Sequence, residues 1–126
     1  MTNWLILGSI LYLLTCYASA LFMINRLGLR GFLGSRDAEA IENPLHARTE
    51  RAARNFRENY PVFMGLGILN LIVEGANLEL ATIGAAVFVL ARVVYLPFYM
   101  MAVQLWRSMV FMVGWTGMVV MAVALL

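Results

Sequence analysis

The sequence predicts an all-α integral membrane protein, a bundle of four transmembrane helices in one domain spanning residues 1–126. Three observations predict it. Of 126 residues, 63% are hydrophobic and 13% are charged, and the mean hydropathy is +0.82; soluble domains carry about 25% charged residues. Long apolar stretches recur, and a bilayer core of about 30 Å needs roughly 20 such residues per helix. Between these stretches lie one long polar connection and short breaks marked by Gly, Asn and Glu, residues that punctuate helices.

The first helix is expected over about 3–25. It holds no acid or base, and about 22 residues at 1.5 Å each give roughly 33 Å, enough to span. Gly8, Thr15 and Ser19 recur on one side and suit close packing. Tyr17-Ala18-Ser19-Ala20 resembles a signal-peptidase site. No Arg or Lys precedes the run, and it exceeds the usual length of about 7–15 residues for a signal core, so a retained helix is expected.

A polar connection follows over 26–45, where Arg26, Arg30 and Arg36 alternate with Asp37, Glu39 and Glu42, and Gly28, Gly31, Gly34 and Asn43-Pro44 break regular structure. His46 is the single histidine and, so near a loop, is assigned no role. The second helix is expected over about 46–73, with Pro61 inside it as a kink, and Glu74-Gly75-Ala76-Asn77 as the reversal. The third spans about 78–103, with Ala81, Gly84, Ala85 and Ala86 permitting close approach and Pro97 bending its far end. The fourth spans about 105–126, with Gly114 and Gly117 as a small-residue face.

Charge then sets orientation. All nine basic residues are Arg, and all but Arg92 of the third helix lie in the first connection, at the start of the second helix or beside the third connection, while the helix 2–3 turn carries Glu74 and Glu79. Basic loops stay inside, so the first and third connections are expected in the cytoplasm and both termini outside. Nothing in this distribution forms a basic stripe for nucleic acid. The lone Cys16 has no partner for an internal disulfide and no companions for a metal site.

Alternating helix direction brings three polar groupings to that same cytoplasmic half. Arg51, Arg54, Asn55 and Glu58 fall at offsets 0, 3, 4 and 7 and share one helical face, while Arg57 points elsewhere. Arg92, Tyr95 and Tyr99 fall at offsets 0, 3 and 7 on the third helix. Arg107 and Ser108 stand at the entrance of the fourth. Charged groups at that depth are costly and mark a functional site by default. Guanidinium groups suit carboxylates and phosphates, so the surplus of Arg over Glu58 asks for an anionic guest, a small carboxylate-bearing molecule or a lipid headgroup. Arg92 has a plainer alternative, a structural ion pair with Glu58. The parts for triad hydrolysis or metal chemistry are missing. What remains is the ability to hold a reactive ligand and favour its thiolate next to Arg.

Taken together, the Arg-x-x-x-Asn-x-x-Glu pattern at Arg51, Asn55 and Glu58, the Arg-x-x-Tyr-x-x-x-Tyr pattern at Arg92, Tyr95 and Tyr99, and Arg107 resemble the MAPEG family, membrane-associated proteins of eicosanoid and glutathione metabolism that include the microsomal glutathione transferases. The resemblance covers nearly the whole chain. It implies a homotrimer with glutathione as cosubstrate between protomers and no metal. It implies glutathione contacts at Arg30, Arg51, Arg54, Asn55, Glu58, Arg92, Tyr95 and Tyr99, with Arg26 a rival to Arg30, and a catalytic pair in Arg107 and Ser108. Tyr95 stands where some members have His. The short connections and absence of Lys suggest a bacterial inner-membrane member. The expected function is conjugation of hydrophobic electrophiles, or reduction of lipid hydroperoxides, at the membrane. Membrane lipids and a hydrophobic small molecule are the other expected partners. The alternative is a non-catalytic binder of lipid or fatty acid. A small multidrug carrier is disfavoured because the first helix lacks a buried acid.

Overall fold

The computed structural model describes residues 1–33, 44–101 and 104–126; within these, the side chains at positions 19, 22, 23, 26, 27, 29–33, 45, 46, 99, 100 and 104 lie outside the description, as do Arg36, Asp37, Glu39 and Glu42 of the first connection. Four helices account for nearly all of it: α1 (Thr2–Leu33), α2 (Pro44–Ile72), α3 (Leu78–Met100) and α4 (Gln104–Val123). Two of them, over Leu78–Phe98 and Leu105–Val123, are long and apolar enough to cross a membrane. In α1 the described apolar stretch covers Thr2–Ala18, and α2 spends its first half on charges.

Several boundaries differ from the expectation: α3 ends at Met100 and α4 at Val123, short of the 103 and 126 expected, and the end of α1 and the start of α2 also move. Helical structure does not stop at 25 but resumes past a break at Gly28 (φ 67, ψ 166) and reaches Leu33. Gly28 takes a left-handed φ that a side chain resists; the break is local, so the chain re-enters a helix instead of opening into a loop. The second helix begins at Pro44, which suits a first turn because its missing N–H has no acceptor there anyway. Both α2 and α3 continue through their prolines, Pro61 and Pro97.

Layered contacts establish the alternation of direction. At one end Leu5 near the start of α1 packs over Gly67 near the end of α2, and Gly84 near the start of α3 meets Gly117 and Met121 near the end of α4. The two termini therefore share an end, and the starts of α2 and α4 share the opposite end with the finish of α3. Between these ends runs an aromatic core. Tyr12 stacks on Tyr60 at 4.2 Å, Phe63 stacks on Phe88 at 4.4 Å, and Phe56 meets Tyr12 and Phe88 edge-on. The Tyr60 hydroxyl donates to Ser9 Oγ at 2.8 Å, and Ser9 donates on to the Leu5 carbonyl at 2.7 Å.

The most extensive contact is between α3 and α4, and glycine makes it possible. A Cβ at Gly117 would lie 2.7 Å from the Gly84 carbonyl oxygen and 2.9 Å from Phe88 N; one at Gly84 would lie 2.6 Å from the Gly117 oxygen. The two backbones touch, as small residues allow between membrane helices.

The last carbonyls of α4 are all satisfied. Val120, Ala122 and Val123 accept from Ala124, Leu125 and Leu126, and Met121 accepts from Asn70 Nδ2 of α2 at 2.8 Å. The Asn77 amide donates to Ala124 at 2.8 Å, while Asn77 Oδ1 caps α3 by accepting from Leu80 N at 3.0 Å. Such closure matters where lipid offers no hydrogen bonds.

Candidate functional site

At the end of the bundle opposite the termini, α2, α3 and α4 enclose a cleft of about 400 Å³ lined by Arg51, Arg54, Asn55, Glu58, Tyr95, Arg107, Ser108, Phe111 and Met112. Each helix delivers its share through ordinary periodicity. Residues 51, 54, 55 and 58 form one stripe on α2; residues 107, 108, 111 and 112 form another on the first two turns of α4. Tyr95 comes from α3 and is 6% exposed, packed against Ala52, whose small side chain lets the phenol approach α2.

Of the residues expected at the site, seven line this cleft. The side chains of Arg30 and Tyr99 fall outside the described residues, as does that of Arg26. Arg92 does not line the cleft. It is 2% exposed and lies behind the wall, where its Nη1 donates to Asn55 Oδ1 at 2.7 Å. The alternative of an ion pair with Glu58 is not what the structure holds: Glu58 is exposed and, among the described residues, is not ion-paired. Four rings surround the Arg92 guanidinium carbon, with centroids at 5.6 Å for Phe56, 5.1 Å for Phe88, 5.4 Å for Tyr95 and 5.5 Å for Phe111. Aromatic faces attract cations, the more so away from water.

Phe111 and Met112 add an apolar part to the lining that sequence reasoning did not single out, although they stand one turn beyond Arg107 and Ser108. That spacing is the signal that finds them. The rings around Arg92 are likewise marked by spacing, Phe88 at four residues before it and Tyr95 at three after.

The lining carries three guanidinium groups and one carboxylate. Arg51 and Arg54 are exposed, and among the described residues neither is held in an ion pair. Arg107 stands at the positive end of α4, where the helix dipole adds to its own charge. The volume lies within the range of small-molecule sites, about 300–1,000 Å³. The arrangement can bind a small anion, with Glu58 available to an ammonium group on the same molecule.

A family model described as the MAPEG family matches residues 4–126. The chain belongs to the MAPEG family. It is therefore a membrane-associated protein of a family devoted to glutathione-related or eicosanoid metabolism, and members of that family are typically oligomeric. With α3 and α4 long and apolar enough to cross a bilayer, membership makes this a four-helix membrane protein. Comparison with curated proteins and with solved structures gave no significant match. The MAPEG family match covers all the elements that build the cleft, α2, α3 and α4.

Proposed function

We propose that this MAPEG protein is a membrane-embedded glutathione transferase, with glutathione-dependent peroxidase activity as a second outlet of the same site. The observation that carries this reading is the shared cleft: Arg51, Arg54, Asn55, Glu58, Tyr95, Arg107 and Ser108, from three helices, line one space of about 400 Å³. Glutathione carries two carboxylates and one ammonium. Arg51 and Arg54 take the carboxylates, and Glu58 takes the ammonium. Arg30 and Tyr99 remain proposed contacts through family resemblance.

Arg107 then stabilises the sulfur. A thiol near pKa 8.5 is mostly protonated at neutral pH, and an adjacent guanidinium favours the thiolate; Ser108 donates a hydrogen bond to it. With a chlorinated aromatic, the thiolate forms a C–S bond, chloride leaves, and the thiol proton goes to solvent. With a lipid hydroperoxide, two glutathione molecules are oxidised to the disulfide while the hydroperoxide is reduced to alcohol and water. The hydrophobic partner enters from the bilayer past Phe111 and Met112. The site works in a homotrimer with its mouth toward the cytoplasm.

The test is calorimetry with glutathione on the purified protein, followed by assays of conjugation and hydroperoxide reduction. Expected are saturable binding, turnover, and a loss of about 10²-fold in kcat for Arg107→Ala, the scale seen when one charge-stabilising donor is removed. Unchanged turnover in Arg107→Ala refutes the mechanism.

One observation favours a second reading, a non-catalytic lipid binder. A wholly apolar groove of about 330 Å³ lies between α3 and α4, lined by Val87, Leu90, Ala91, Val94, Val110 and Val113. That reading predicts fatty acid retained through purification and no heat with glutathione.

A further inference from the structure

Arg92 is the largest fully buried side chain in the described protein, and its place is not explained by ligand contact. Among the described residues its Nε and Nη2 have no hydrogen-bond partner, while its Nη1 donates to Asn55 Oδ1 at 2.7 Å. Burying a charge with so little compensation is costly. The four surrounding rings recover part of that cost and also fix where the guanidinium sits.

The consequence falls on Asn55. An amide side chain has one end that accepts and one that donates, and arginine only donates. Arg92 therefore settles which way the Asn55 carboxamide faces: the oxygen turns inward to the guanidinium, and the nitrogen is the end left for the cleft that Asn55 lines. A charged donor on the oxygen also polarises the amide and strengthens its N–H groups as donors. We infer that Arg92 is a positioning residue, which acts through Asn55 to present a hydrogen-bond donor at the cleft wall and so selects an acceptor, a carboxylate, at that point of the ligand. This deepens the glutathione reading and rests on it for the identity of the carboxylate.

Two measurements on the full chain in detergent test it. The first is the side-chain NH₂ resonance of Asn55 in protein labelled with ¹⁵N-asparagine, assigned by its loss in Asn55→Asp. A resolved, shifted signal is expected in the parent and in Arg92→Lys, which keeps a charged donor, and a collapse toward the position of a free side chain is expected in Arg92→Met. An unchanged Asn55 signal in Arg92→Met overturns the inference. The second is glutathione affinity. Asn55→Asp keeps a partner for Arg92, so it retains the parent melting temperature, yet it turns an acceptor to the cleft; a loss of about tenfold or more is expected. Parent-like affinity in Asn55→Asp overturns the inference even if Arg92→Met fails to fold. Absence of glutathione binding in the parent overturns the functional reading and the carboxylate with it, while the amide signal still decides the positioning role.

Discussion

At Asn70 a single carboxamide joins α2 to the end of α4. The residue is 1% exposed, and its Nδ2 donates both to Leu66 O one turn back and to Met121 O across the bundle, each at 2.8 Å. Asn70→Ala removes both bonds and leaves the Met121 carbonyl buried, so a loss of about 1–3 kcal/mol is expected, measured as a lower melting temperature in detergent with glutathione affinity unchanged. Nothing in the sequence announces this role, because Asn70 sits in an apolar run with no patterned partner. The cleft residues are different. Arg51, Arg54, Asn55 and Glu58 are legible because polar groups repeat with the helical period where lipid-facing residues are expected. Arg92 is legible as unusual but not as to its partner: spacing puts it on the face of Tyr95, yet spacing on one helix cannot say whether Asn55 or Glu58 of another helix stands opposite. At Glu58, which faces the cleft unpaired among the described residues, Glu58→Gln should weaken glutathione binding and leave S-conjugation per bound molecule intact. A fall in kcat with KM unchanged contradicts a role in ligand binding.

Among the helices, α3 and α4 approach one another backbone to backbone. Their backbones meet where Gly84 and Gly117 face one another, and the atoms a new Cβ would strike are the Gly84 and Gly117 oxygens and Phe88 N. Backbone atoms cannot swing aside as a side-chain tip can. Gly117→Val should therefore force the helices apart at a cost of about 1–3 kcal/mol, read as a fall in melting temperature. Gly65→Ala should leave it unchanged, because a Cβ there meets nothing within 4 Å. This pairing was readable in outline, since small residues at membrane-helix spacing point to close approach. The end of α1 was less so. Gly28 and Gly31 read equally well as loop residues, and whether helix resumes after a single left-handed glycine depends on contacts that local propensity does not contain. The start of α2 shifted for a simpler reason, since a proline that ends one segment also opens the next.

For the whole molecule, the distribution of charge and grease points to one kind of guest. Large apolar side chains lie exposed along every helix, among them Ile6, Leu13, Ile72, Leu90, Val113 and Trp115, as a lipid-facing surface requires. Against that belt the cleft gathers three of the chain's nine arginines and one glutamate at a single end. A low-dielectric wall on three sides focuses such a field toward the opening. Two of the arginines, Arg51 and Arg54, are exposed, so their pull on an anion passes partly through water and is screened over about 8–10 Å at ordinary salt. Arg92 is buried, and salt leaves its hold on Asn55 intact. Glutathione affinity should then fall several-fold as sodium chloride is raised, chiefly through a slower association rate, while the Arg51→Ala and Arg54→Ala variants should each show a shallower salt dependence than the parent. Titrations at a series of salt concentrations check this. A salt slope unchanged in both variants means that these two side chains do not meet the ligand, and the anionic guest must then be held elsewhere along the cleft.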